Sequence, residues 1–132
     1  MIAFDTNLLV RLLVQDDPRQ FATAVALLDE AAELGEPCYL ADAVLCEVEW
    51  VLTSVYRARR ADILAALSEL AADARYAFED GEALRESIGA YEAGSAEFSD
   101  YLIGARSRRR GARTTYTFDR KLRDEEGFTY VG

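Results

Sequence analysis

If this sequence performs chemistry, its carboxylates are the obvious candidates for the work. Its 132 residues include 24 Asp and Glu against 15 Lys and Arg, for a net charge of −9, and no histidine. That excludes an imidazole base, a histidine-ligated zinc and a Ser-His-Asp triad. The charge balance also excludes a globally basic coat for nucleic acid. Two acids stand out by position. Asp5 directly follows the apolar run Ile2-Ala3-Phe4, and Asp119 directly follows Thr114 to Phe118, a run rich in β-branched and aromatic residues. Parallel α/β sheets place their sites at the C-terminal edge of the strands, so both acids are expected to project at one such edge. Each also reads as the N-cap of the following helix. Asp5 opens the run Asp5-Thr6-Asn7, which adds a second small polar side chain that can support it.

Further candidates lie on helices. Val44, Val48 and Val55 mark an apolar face, and Glu47 and Glu49 flank it at similar angles on opposite sides. Periodicity does not choose between these two glutamates. Trp50 points away from that face and is a candidate partner surface. Asp100 lies in the first turn of its helix, where a carboxylate suits the helix dipole. It shares a stripe with Ile103, Gly104 and Ser107, opposite Phe98, Leu102 and Ala105. A helix with small or apolar residues on two sides is expected to pack against more than one element. Asp100 would then be drawn inward, where a carboxylate needs a partner or a metal.

The elements that must position these acids alternate in type. The strand Ile2 to Phe4 leads into a helix with Leu8, Leu9, Leu12 and Leu13 inward, closed at Pro18. A second helix runs through Phe21, Ala24, Val25, Leu28 and Ala32 to Gly35. Pro37 to Leu40 reads as a buried strand, and Asp42 as the cap of the Val44 to Val55 helix. A helix from Asp62 to Ala72, a weak strand Tyr76 to Phe78 and helices at Glu82 to Glu92 and Phe98 to Arg110 follow. Thr114 to Phe118, a short helix at Asp119 to Asp124 and a last strand, Phe128 to Val131, complete the order. This order predicts an α/β fold with a mainly parallel central sheet of four to five short strands covered by helices. With 51% hydrophobic and 11% aromatic residues the chain can bury one core, so residues 1–132 are expected to form a single domain.

Cys38 and Cys46 are expected to be thiols in a reducing compartment, since a chain of this size needs no disulfide. The N-terminus lacks the basic-then-apolar pattern of a signal peptide, and no apolar run reaches the length of a membrane span. The expected location is the cytoplasm, with no membrane association.

The motifs converge on a family. The sequence resembles PIN-domain ribonucleases, and among them the VapC-type toxins of type II toxin–antitoxin pairs. The resemblance runs over nearly the whole chain. It rests on Met1-Ile2-Ala3-Phe4-Asp5-Thr6-Asn7 with Leu8-Leu9-Val10-Arg11, on Asp16-Asp17-Pro18 and on Val44 to Leu52 around Glu47. It also rests on Phe98-Ser99-Asp100-Tyr101-Leu102-Ile103 and on Thr117-Phe118-Asp119-Arg120-Lys121-Leu122. The family's acidic quartet falls on Asp5, Glu47, Asp100 and Asp119, which selects Glu47 over Glu49. Asn7 and Thr117 match small polar positions that support the quartet. One departure is Glu97, where such toxins often carry an aspartate.

The resemblance implies a fold and a chemistry. Hard oxygen ligands favour Mg²⁺, with Mn²⁺ as a second possibility. Clustered carboxylates repel one another until a cation relieves them, and a bound cation supplies hydroxide from its water at neutral pH. The implied activity is endonucleolytic hydrolysis of RNA, leaving a 5′-phosphate and a 3′-hydroxyl. The implied partners are an RNA substrate, a VapB-like antitoxin that covers the site, and a second copy of the chain in a homodimer. Three basic groups interrupt the acidic surface: Arg57, Arg59 and Arg60; Arg106 to Arg110 with Arg113; and Arg120, Lys121 and Arg123. The last adjoins Asp119 and is the expected RNA contact. The run at Arg106 also suits a helix C-terminus without any ligand. The early apolar helices are further candidates for antitoxin or dimer surfaces.

Other classes fit less well. An inactive PIN-fold binding module would be expected to lack one of the four acids. A metal-dependent phosphatase would want an aspartate where Asn7 stands. A receiver domain would want a phosphorylatable aspartate directly after a middle strand, and Tyr76-Ala77-Phe78 is followed by Glu79-Asp80. A solitary PIN nuclease outside a toxin pair has the same residues as the favoured reading.

Overall fold

The computed structural model describes residues 1–132, and the chain forms two compact units, 1–79 and 80–132. In the first, β1 (Ile2–Ala3), β2 (Cys38–Leu40) and β3 (Tyr76–Phe78) form a parallel sheet in the order β1-β2-β3. Ile2 aligns with Cys38, and Cys38 with Tyr76. Parallel strands need crossovers, which are provided by helices α1 (Thr6–Val14), α2 (Pro18–Glu33), α3 (Asp42–Ser54) and α4 (Arg60–Ala72). The core is aliphatic. Leu9, Leu40, Leu45, Val48, Ile63 and Leu67 are fully buried. Burial also pushes the Tyr76 phenol up to about 12 and raises the Cys38 thiol. Cys38 and Cys46 are both thiols.

Two helix boundaries differ from the sequence expectation. The first helix does not run to Pro18. It ends at Val14, followed by Gln15 in the left-handed region at φ 60°, and Pro18 instead opens α2. Proline suits the first helical position because its missing N–H would have no partner there. Asp17 caps α2 by accepting from the Gln20 N–H at 3.0 Å. Likewise Asp42 is not the cap of α3. Ala41 holds the capping position and makes no side-chain cap bond, while the Asp42 N–H donates to Glu79 Oε1 at 3.0 Å.

The second unit holds α5 (Gly81–Ala93), α6 (Phe98–Arg109), β4 (Thr115–Thr117), a 3-10 turn (Arg120–Leu122) and β5 (Phe128–Tyr130). Helices α5 and α6 pack on each other through Leu84, Ile88, Tyr91, Phe98 and Leu102, with the Tyr91 and Phe98 rings edge to face at 6.3 Å. Strands β4 and β5 pair in parallel, Tyr116 opposite Thr129. Gly104 lets β5 approach α6: a Cβ there would stand 2.6 Å from Phe128 Cζ. The stripe containing Asp100 is thus only partly buried. Gly104 is covered, whereas Ile103 is exposed. All five strands form and pair in parallel, three in one sheet and two in another. Asp5 and Asp119 therefore follow strands of different sheets, not of one shared edge. No helix is long and apolar enough to cross a membrane.

Candidate active site

In the first unit, Asp5 follows β1 and caps α1. Its Oδ1 accepts from the Leu8 N–H at 3.0 Å. Because β1 ends where α1 begins, the cap fixes the carboxylate at the exposed end of the strand. Glu47, one turn into α3, is held by the residue next to Asp5: the Thr6 hydroxyl donates to Glu47 Oε2 at 2.8 Å. This contact ties α1 to α3 and brings the two acids of this unit to neighbouring anchor points. Thr6 was not singled out from the sequence. The only signal was a hydroxyl residue beside a candidate acid. The choice between the two glutamates has a structural counterpart. Glu47 is exposed, whereas Glu49 is 5% exposed and takes a hydrogen bond from the Thr53 hydroxyl at 3.0 Å.

Asn7 is exposed and lines an open cleft with Asp5, Leu8, Arg19, Gln20 and Thr23. One wall is stiffened by Arg11. Its guanidinium reaches Gln20 at 2.7 Å, Asp16 at 2.9 Å and Tyr56 at 3.0 Å, and the Tyr56 hydroxyl in turn donates to Asp16 at 2.9 Å. The Tyr56 hydroxyl is the main reason that the Asp16 carboxyl lies below the usual aspartate value.

In the second unit, Asp100 sits in the first turn of α6, and its Oδ2 accepts from the Glu97 N–H at 3.2 Å. Its carboxyl is raised above the usual value, first by burial and then by the negative charges of Asp119 and Glu97. The Glu97 N–H and the Lys121 ammonium oppose the shift. Two carboxylates of this unit thus feel each other's charge. Asp119 caps the 3-10 turn, its Oδ1 accepting from the Lys121 N–H at 2.9 Å. Thr117 shapes the approach to it, since its hydroxyl accepts from the Asp119 N–H at 3.0 Å.

The four acids share a pattern. Each uses one carboxylate oxygen for a local hydrogen bond: Oδ1 of Asp5, Oε2 of Glu47, Oδ2 of Asp100 and Oδ1 of Asp119. The other oxygen of each makes no hydrogen bond to the protein. Oriented carboxylates with one open oxygen suit a hard divalent cation, because the hydrogen bond fixes the ligand and leaves the donor atom available. No three Asp, Glu or Cys side chains are grouped so that they could hold a metal ion.

The basic groups have unlike surroundings. Arg106 and Arg109 both reach Asp80, Arg109 also reaches Glu82 at 3.1 Å, and Arg108 pairs with Glu86. Arg59 pairs with Asp62 at 3.2 Å. Arg120, Lys121 and Arg123 are exposed and have no carboxylate partner. Arg120 instead donates to the Tyr130 hydroxyl at 3.3 Å, and Arg123 lies 5.7 Å from the centre of the Tyr130 ring. Trp50 is 61% exposed on α3.

Residues 2–126 match the PIN domain. The chain belongs to the PIN domain family. That match spans all four acids. PIN domains are in general metal-dependent nuclease folds that use divalent ions, and the carboxylate-only donor set of this PIN domain accords with such ions. No curated protein and no solved structure matches the chain.

Proposed function

We propose that this PIN domain is a VapC-type endoribonuclease, with Asp5, Glu47, Asp100 and Asp119 as its acidic ligands. The observation that carries the reading is the shared pattern of the four carboxylates, each anchored through one oxygen and open at the other. These four acids would hold a divalent cation, Mg²⁺ or Mn²⁺, which when bound would supply Lewis acidity toward the phosphodiester and lower the pKa of its water. The chain's own residues orient and balance. Leu8 N–H and Thr6 set the carboxylates of the first unit, and Glu97 N–H and Lys121 N–H those of the second. The Asp100 carboxyl is raised first by burial and then by the charge of Asp119, and a cation would offset both. Arg120, Lys121 and Arg123 hold the phosphates that flank the cleaved bond. The products are a 5′-phosphate and a 3′-hydroxyl.

The regulatory part of the proposal follows the resemblance. A VapB-like antitoxin covers the acidic site, the toxin acts in the cytoplasm as a homodimer, and Trp50 belongs to a partner surface. Exposure of a tryptophan on α3 supports that last assignment, because large aromatic side chains are enriched in interfaces.

The test is cleavage of total RNA by the purified chain with Mg²⁺ or Mn²⁺. Discrete fragments are expected, with loss of more than about a hundredfold in rate for Asp5→Asn and for Asp119→Asn, the scale of removing a group that organises transition-state charge. Cleavage that persists in either variant, or that ignores chelator, would contradict the assignment.

A further inference from the structure

Next to Asp119 the structure carries an aromatic face that no assignment above uses. Tyr116 lies in β4, and Phe118 is the first residue after that strand. They are 61% and 79% exposed. Phe118 is the most exposed large hydrophobic residue of the chain and immediately precedes a candidate ligand. The register places exposed Thr129 opposite Tyr116, and the Val131 N–H extends the ladder to Thr117 O at 2.9 Å. Arginines lie near these rings. Arg113 donates to the Tyr116 hydroxyl at 3.2 Å. A Cβ on Gly132 would lie 3.2 Å from Tyr130 Oη and 3.3 Å from Phe118 Cδ1, which puts the Phe118 ring beside the hydroxyl that Arg120 engages. Arg113, Arg120 and Arg123 have no carboxylate partners, unlike Arg106, Arg108 and Arg109.

We propose that Phe118 is a stacking platform for an unpaired base of single-stranded RNA, with Tyr116 beside it and Arg113, Arg120 and Arg123 holding the adjoining phosphates. The occupant is fixed by charge complementarity. An exposed flat ring with arginines near it that make no ion pair matches a base flanked by phosphates. Double-stranded RNA hides its base faces, so the platform selects unpaired segments. Stacking next to Asp119 would set which phosphate meets that carboxylate. This rests on the RNA-cleaving reading and adds to it a positioning residue.

The test uses the full chain, a labelled ten-nucleotide single-stranded RNA, and the same RNA with one abasic position, in EDTA so that no cleavage intervenes. Base–aromatic stacking is worth about 1–3 kcal/mol, so Phe118→Ala is expected to weaken binding roughly five- to 150-fold. Phe118→Leu should be nearly as weak and Phe118→Trp should bind like the wild type. The abasic RNA, with the gap placed in turn along the strand, should at one position remove the difference between wild type and Phe118→Ala. Equal affinity of wild type, Ala and Leu variants overturns the proposal. So does a Phe118→Ala change that alters only the oligomeric state, which would make this face an interface between copies. In parallel, cation-dependent cleavage by the wild type separates the two claims. Cleavage with no effect of Phe118→Ala removes the platform alone, whereas no binding and no cleavage by the wild type removes the nuclease reading with it.

Discussion

The arginines of α6 and the cations around the 3-10 turn are close in sequence and alike in composition, yet they meet opposite surroundings. Arg106, Arg108 and Arg109 face the acids of α5 and its cap, Asp80, Glu82 and Glu86. Arg120 and Arg123 make no ion pair with a carboxylate and lie against Tyr130, and exposed Lys121 makes none either, acting on Asp100 only through its charge. The first set joins two helices, and the second is free to meet an anion. A run of basic residues therefore says little about nucleic acid until its carboxylate partners are known, because an arginine already paired must lose that pair to bind a phosphate.

The contrast can be broken most directly by charge removal. Replacing Arg120, Lys121 and Arg123 together by alanine should lower affinity for single-stranded RNA by about tenfold to a hundredfold. It should also reduce the slope of log affinity against log salt by about two, near 0.7 per lost phosphate contact. Replacing Arg106, Arg108 and Arg109 should leave that slope unchanged and lower the thermal midpoint instead. Equal slopes for the two sets would erase the distinction.

Stability of the second unit supplies the next check. Gly104→Val should destabilise by about 1–3 kcal/mol in denaturant titration, because Phe128 occupies the space that the new side chain needs. Asp80→Ala should lower the thermal midpoint more than Arg108→Ala does. It removes the cap on α5, an acceptor from the Ala83 N–H at 3.0 Å, as well as both arginine contacts.

The smallest effects concern pH. The Asp80 carboxyl lies below the usual aspartate value of 3.8, chiefly through the Ala83 N–H and then Arg109. Its stabilising contribution is present above 3.8 and disappears as pH falls through its lowered value. Asp100 lies above 3.8 because of burial and Asp119, so its ionisation opposes folding. That penalty is absent below 3.8 and develops as pH rises through the raised value. Asp100→Asn should therefore stabilise the cation-free protein at neutral pH while abolishing cleavage. Carboxyl carbon shifts followed by NMR should show Asp80 titrating at lower pH than Asp100. The reverse order would contradict a buried Asp100 carboxyl facing Asp119.

Much of the fold was legible because the relevant signals are local. Apolar periodicity placed all six helices, and Gly35 and Gly111 ended α2 and α6 with positive φ, where a side chain would strain the backbone. Pro18 and Asp42 misled because each residue suits two adjacent positions. Proline both stops one helix and starts the next, and aspartate is favourable in the cap and in the first turn alike. The division of five strands into two sheets depends on long-range pairing that no window of sequence reports. Among the site residues, Asp5 and Asp119 were visible as acids after strands. Glu47 was distinguished from Glu49 only by the family resemblance, since helical angle is symmetric about the apolar face. The burial of Glu49 is a tertiary outcome. Phe118 carries no role in the sequence motif that contains it, because exposure of an aromatic at a strand end is decided by what packs over it.

The central claim is that Asp5, Glu47, Asp100 and Asp119 all serve a divalent cation. Mn²⁺ titration by calorimetry, comparing the wild type with Glu47→Gln and Asp119→Asn, tests it most directly. Glu47→Gln alters the first unit and Asp119→Asn the second. The account predicts saturable binding by the wild type and at least about tenfold weaker binding by each variant, the scale of losing an oriented ligand. Binding that is unchanged in either variant would show that the corresponding carboxylate is not a ligand and would contradict the account.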